Sequence, residues 1–184
     1  MDKNEALDIL KKYITNENLI KHSLASWAVM RSLADKLGED REKWGLAGIL
    51  HDIDVELTKE DPKEHTKKAV DILKGLGITD DIIEAIKMHN EEAWDTRSDE
   101  KFHIALRCGE TVTGLITATA LIMPDKKLSG VKNESVIKRF KDKRFAAGAR
   151  RESIKECEKI GIPLNDFLSL SLSAMKEISD ELGL

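Results

Sequence analysis

Gly45-Leu46-Ala47-Gly48-Ile49-Leu50-His51-Asp52-Ile53-Asp54 is the stretch on which the reading of this chain turns. Trp44, Ala47, Gly48 and His51 fall along one stripe of a helix that starts near Asp40, and Ile49-Leu50 closes its apolar run. His51 and Asp52 are therefore expected to project from a buried helix end. Gly45 and Gly48 leave room there for another backbone to approach closely. A neutral imidazole and a carboxylate are ligands that a borderline divalent metal accepts, and a buried carboxylate is costly unless paired or metal-bound. One such pair reads equally well as a buried His-Asp hydrogen bond. What separates the two readings is its company: His22 upstream, His65 and His89 downstream, and Glu110 beyond. That ordered series holds enough nitrogen and oxygen donors for one metal ion, or for two.

Outward from this stretch the pattern is helical throughout. Pro62, Pro124 and Pro163 each stand where a helical periodicity starts or has just stopped, as expected of an all-α protein. Helices are expected over about Asn4–Tyr13, Asn18–Leu37 with Gly38 as its stop, Asp40 into His51-Asp52, and Asp61-Pro62 to Gly75 carrying His65. Further helices are expected from Thr79 with His89 at its far end, from Ser98 to Met123, near Glu134–Phe140, near Phe145–Ile160, and from Pro163 to about Leu182. No repeat or linker divides the chain. We expect one domain over residues 1–184, a metal-binding region at about 18–125 and a helical extension at about 126–184.

Bulk composition narrows the class. The 184 residues are 41% hydrophobic and 35% charged, and only 4% are aromatic, so the core must rest on Leu, Ile, Val, Ala and Met, with Trp27, Trp44 and Trp94 expected inside it. A formal net charge of −4 argues against a general nucleic-acid coat, which needs a surplus of cations. Cys108 and Cys157 are too few for a disulfide framework and suit a reducing cytoplasm. No signal peptide and no membrane-spanning run is legible, so the expected location is cytoplasmic.

Several candidate residues carry a bland alternative. His22 lies on the apolar side of its helix and would, alone, read as a core histidine. His65 and His89 would each read as capping or exposed residues. His103 precedes Glu110 by seven residues, roughly 10 Å along a helix axis, so the two cannot bind one ion. Glu110 sits on a helix that is otherwise apolar and small, where its partner is either the metal or Arg107, one turn away. Cys108 has no histidine at helical spacing to activate it as a nucleophile.

The order His22, His51-Asp52, His65, His89 and an acid at 110 resembles the HD superfamily of metal-dependent phosphohydrolases, and residues 45–54 are similar to its signature. Thr113-Gly114-Leu115-Ile116 and the run Lys138 to Gly148 resemble a subgroup of small stand-alone members. The resemblance implies an HD-domain helical bundle. It assigns His22, His51, Asp52 and position 110 to the family's ligand set, although the family usually has Asp where this chain has Glu110. Members with two metals add histidines that His65 and His89 match; one subgroup has a second adjacent His where this chain has Asn90. By this likeness Asp52 would bridge two divalent ions (Mn, Fe, Co, Ni, Zn or Mg), with His22, His51 and Glu110 on one side and His65 and His89 on the other.

The activity implied is hydrolysis of a small phosphorylated substrate, a phosphate ester or anhydride of a nucleotide, by metal-activated water. Asp54 or Glu56 could orient that water. Arg107 is the preferred phosphate-binding residue, and the basic cluster Lys126, Lys127, Lys138, Arg139, Lys141, Lys143, Arg144, Arg150 and Arg151 could grip a phosphate chain or simply face solvent. Two other functions fit the same ligands: a non-catalytic metal- and nucleotide-binding regulatory module, and a di-iron oxygenase.

Overall fold

Capping chemistry sets where the helices of the computed structural model begin, over the residues it describes, 1–59 and 61–184. Asp2 and Glu5 form a reciprocal capping box at α1 (Lys3–Leu10), and Asn16 caps α2 (Glu17–Leu37). Asp40 accepts from the Glu42 and Lys43 amides to start α3 (Arg41–Leu50). Such caps satisfy donors that the first helical turn leaves unpaired. Gly38, left-handed at φ 70°, stops α2. The remaining helices are α4 (Lys67–Gly75), α5 (Asp80–Lys87), α6 (Glu91–Trp94), α7 (Lys101–Leu121), α8 (Asn133–Lys141), α9 (Arg151–Lys155), α10 (Leu164–Glu177) and α11 (Ser179–Leu182), with 3-10 turns at Leu128–Gly130 and Glu156–Ile160. No strand occurs among the described residues, so the fold is all-α. None of the helices is long and apolar enough to cross a membrane.

Packing is organised around α2, α3 and α7. The α7 helix is apolar on nearly every side because α2, α3, α5, α8 and α9 all lie against it, while α10 covers both α2 and α7. The core assembled between them is largely aliphatic, with Met30, Leu33, Ile49, Leu50, Leu106 and Ile116 fully buried. Trp44 is in it, stacked on Phe102 with ring centroids 5.1 Å apart. Trp27 and Trp94 are not as expected. Both are half-buried, and cations lie over their rings, Lys3 and Arg31 on Trp27 and Lys87 on Trp94.

The approach of α3 to α2 rests on glycine, as the sequence implied. A Cβ on Gly48 would stand 2.7 Å from the Ser26 carbonyl oxygen and 2.9 Å from the Trp27 nitrogen. These are backbone atoms that cannot rotate away. Because His22 is on α2 and His51 follows α3, this contact sets the separation of two candidate ligands.

Three expected helices are shorter or broken. The segment opening at Asp61 makes one turn, with the His65 amide donating to the Asp61 carbonyl at 2.9 Å, and is then interrupted at Thr66, which is left-handed at φ 77°. A β-branched residue is strained there, and the helix restarts at Lys67. The helix expected over 145–160 begins only at Arg151, since the buried Arg151 guanidinium takes the carbonyls of Arg139, Phe140, Asp142, Phe145, Ala146 and Ala149. Those residues wind around a cation instead of forming a helix. The last helix breaks at Ile178, and α6 lies in a stretch for which no helix was expected.

Gly48→Ala should destabilise the protein by at least the ~1–3 kcal/mol typical of overpacking, seen as a Tm several degrees lower. Gly75→Ala, where a Cβ meets nothing within 4 Å, should leave Tm unchanged or slightly raised. Equal effects at both positions would show that the α2–α3 approach is not limiting.

Candidate metal centre

Four imidazoles converge on Asp52, and each is held by its far nitrogen. His51 Nδ1 donates to the Gly48 carbonyl at 2.8 Å, one turn back in α3. His89 Nδ1 likewise donates to the Ile86 carbonyl at 2.5 Å, at the end of α5. His65 Nδ1 donates to Asp54 Oδ1 at 2.8 Å. His22 Nδ1 lies 2.9 Å from the Thr113 hydroxyl, whose own proton goes to the Glu110 carbonyl at 2.7 Å, so the histidine is the donor. With every Nδ1 proton so placed, the network assigns an inward lone pair to every Nε2 of a neutral ring.

Those Nε2 atoms fall into two pairs. His22 and His51 are 3.1 Å apart, and so are His65 and His89. Two lone pairs at that distance repel unless a proton or a cation lies between them, and it is a spacing that two ligands of one ion adopt at bond lengths of about 2.1 Å. Asp52 stands between the pairs. Its Oδ2 faces His51 at 3.4 Å and His22 at 3.6 Å, and its Oδ1 faces His65 at 3.2 Å and His89 at 3.5 Å. Two groups with metal-ligating chemistry result, His22-His51-Asp52 and Asp52-His65-His89, the donor atoms of each lying within 4.8 Å of one another. The donor set, imidazole nitrogen with a shared carboxylate, suits a divalent transition metal.

Electrostatics agree with this division. Burial lowers the His51 pKa to about 3, against the opposing pull of Asp52, and lowers that of His22 in the same direction. Both rings are neutral at physiological pH. Burial alone would neutralise Asp52, but the facing imidazoles, His51 foremost, hold its carboxyl well below the usual carboxylate range. His65 differs: burial pushes its pKa down, yet hydrogen bonds to Asp52 and Asp54 and their charges outweigh this and raise it to about 10. Without a metal, His65 is the ring that carries the extra proton.

Asp54 does not orient water. It is fully buried, with Oδ1 on His65 and Oδ2 accepting from the Ala69 amide at 3.0 Å. Because Thr66 offers α4 no side-chain cap, Asp54 caps that helix from a distance while fixing the His65 ring. Asn90 completes the hold, its amide donating to the carbonyls of Pro62 at 2.6 Å and His65 at 2.9 Å. Glu56 is occupied elsewhere, accepting from the Thr15 and Asn16 amides at 2.9 and 2.7 Å.

Glu110 lies beside the first group, with Oε2 3.9 Å from His22 Nε2 and its other oxygen on the Thr111 hydroxyl. Burial raises its pKa to about 8, assisted by the nearby charge of Asp52 and opposed by the Thr111 hydrogen bond and Arg150. Arg107 is not its partner, nor is Arg107 free for phosphate. That side chain is 2% exposed and donates to Glu156 at 2.8 Å and to the carbonyls of Met88 and Ser98 at 3.2 and 2.8 Å. The Glu110–Arg107 pair and the Arg107 phosphate contact are both replaced by a buried structural ion pair. His103 is held by the Ser98 hydroxyl at 2.7 Å, and among the described residues no hydrogen bond or ion pair joins it to the centre. Cys108 is buried with its thiol pushed well up by desolvation, which removes it as a nucleophile.

The comparisons with known proteins agree with this geometry. Residues 19–122 match the HD domain family, more than half of the chain, and the chain belongs to that family. Among curated proteins it is 38% identical over 77 residues to Ribonuclease Y of Nitratidesulfovibrio vulgaris, 42% of this chain and 15% of that protein. It is 32% identical over 76 residues to Ribonuclease Y of Lawsonia intracellularis, again 15% of that protein. Ribonuclease Y of Aquifex aeolicus is 32% identical over 77 residues, 42% of this chain and 14% of the relative. The chain thus spans only about a seventh of the length of these relatives.

Two predictions follow from the held protons. A metal that takes His65 Nε2 must displace a proton bound with a pKa of about 10, and one that takes Glu110 displaces a proton bound with a pKa of about 8. Metal affinity should therefore rise as pH rises through neutrality, with about one to two protons released per chain; calorimetry in buffers of different ionisation enthalpy reads this directly, and proton-free uptake would contradict the assignment. Asp54→Asn should weaken binding at the His65–His89 pair about 10–100-fold, the range for loss of a partner that orients a ligand. Competition with a chelator measures it.

Proposed function

We propose that this chain hydrolyses a phosphate ester or anhydride of a nucleotide, using divalent metal at the His22-His51-Asp52 and Asp52-His65-His89 groups, with Glu110 as a further ligand of the first. The observation that carries the reading is the division of Asp52: each carboxylate oxygen faces one pair of Nε2 lone pairs, at 3.2–3.6 Å. When bound, ions at these positions supply a water acidified to near-neutral pH and positive charge opposite the phosphoryl oxygens.

The chain's own residues do the rest. Asp52 stays ionised beside the neutral rings of His22 and His51 and so would hold positive charge between the two groups. Asp54 fixes the His65 ring and Asn90 the backbone that carries it, and Gly48 and Ile86 fix His51 and His89 through their carbonyls, so no ligand must reorganise as charge develops. Substrate reaches the centre from the side of His22 and Glu110, which border a cleft of about 450 Å³. No side-chain nucleophile is needed, consistent with the protonated, buried thiols.

Asp52→Asn keeps the shape but removes the bridging charge, and should lower hydrolysis at least ~10²-fold, the scale for losing one key electrostatic contributor. The assay is a panel of nucleoside mono-, di- and triphosphates with a short RNA, given metal after chelation. Turnover of RNA alone would move the substrate toward that named by the relatives. Metal retained with no turnover on any substrate would favour the regulatory module. His89→Ala should lower the metal-to-chain ratio by about one ion if both groups fill, which elemental analysis reads.

A further inference from the structure

The cleft beside the centre has two walls of different character. One is α7 with His22, presenting Glu110, Thr111 and Gly114; the other is the segment Ala146, Gly148, Ala149 and Arg150. Arg150 is the one Lys or Arg side chain lining this cleft among the described residues. Two of its neighbours in the basic region are engaged. Arg151 is buried among six carbonyls, and Arg139 lies over the Phe145 ring at 4.9 Å. The Arg150 side chain has no hydrogen-bond or ion-pair partner among the described residues. The backbone that carries it is nonetheless fixed, because Arg151 next to it ties the Phe140, Ala146 and Ala149 carbonyls at 3.0, 3.0 and 2.5 Å. An unpartnered guanidinium on an anchored segment, lining the cleft beside the candidate metal centre, is placed to contact an anion there.

Charge balance says which anion. Arg150 could serve merely to offset Asp52 and Glu110. With two divalent ions in place, however, four positive charges exceed the three carboxylates of the centre, Asp52, Asp54 and Glu110, by one, and Arg150 raises the excess to two, which a dianion balances and a monoanion does not. A terminal phosphate carries about −1.5 to −2 at neutral pH, whereas an internal phosphodiester carries −1. Resting on the hydrolase reading, we propose that Arg150 binds the oxygens of a terminal phosphate dianion, and that the substrate is a phosphomonoester or a nucleoside polyphosphate rather than an internal phosphodiester.

The test uses the metal-loaded protein at pH 8 with inorganic phosphate and dimethyl phosphate as probes, read by calorimetry, alongside metal content. Phosphate should bind more tightly than dimethyl phosphate in the unaltered chain. Arg150→Ala should weaken phosphate at least tenfold, with metal content unchanged and dimethyl phosphate unaffected, and Arg150→Lys should recover part of the loss, since a point charge replaces the planar fork. Equal phosphate affinity in the unaltered chain and Arg150→Ala, failure of the unaltered chain to bind phosphate, or loss of metal in place of phosphate would each overturn the proposal. KM for a nucleotide substrate separates the two readings. Turnover with the same KM in Arg150→Ala overturns the Arg150 role and leaves hydrolysis standing; phosphate binding lost in Arg150→Ala from a chain that hydrolyses nothing overturns hydrolysis and leaves the anion site.

Discussion

Four imidazoles can face one carboxylate with their lone pairs only if four N–H protons have been disposed of elsewhere, and much of this structure consists of the places where they go. Two go to carbonyls one helical turn back, at Gly48 and Ile86, which any helix end supplies. One goes to a threonine hydroxyl whose own proton is already spent on the Glu110 carbonyl. The fourth goes to Asp54, a fully buried acid. Without these partners the rings could turn or tautomerise, and the charge on Asp52 would have no cause to survive burial.

Elements whose signals are local were legible in the sequence. Asn16, Asp40 and Gly38 mark helix ends through chemistry within a few residues, and the structure places helix boundaries there. The close approach at Gly48 was readable because glycine on an apolar helix face has few other uses. The His-Asp order brought together the residues that meet around Asp52. What could not be read was set by distant partners. The break at Thr66 depends on Asp54, Asn90 and Trp94, the last donating to the Thr66 hydroxyl at 2.8 Å, and the local proline and acid point instead to a continuous helix. The unwound segment before Arg151 has the same kind of cause, since nothing in a run of basic residues says which one will be buried.

Arginine was the residue type whose role was hardest to assign. Arg107, Arg150 and Arg151 are close in chain or in space to the centre, and the sequence favours Arg107 because it shares a helix with Glu110. Glu156, 49 residues away, decides otherwise by taking the Arg107 guanidinium into a buried pair. A buried cation needs a partner, and the partner's position is a property of the fold. Glu110 is thereby left with Thr111 and the centre itself, and burial raises its carboxyl to about 8.

The strained residue Thr66 divides the centre into two strata. His22, His51 and the Thr113 support sit on α2, α3 and α7, the most deeply packed part of the chain. His65 sits on an irregular turn kept in place by side-chain hydrogen bonds from Asp54, Asn90 and Trp94. Local opening of that turn requires breaking only those few bonds, whereas disturbing the first group requires parting the core. The ligands around one shared carboxylate are therefore held at different depths, with His65 on the least packed segment. Opening of the turn alone would part His65 from Asp52 and leave the His22–His51 pair assembled.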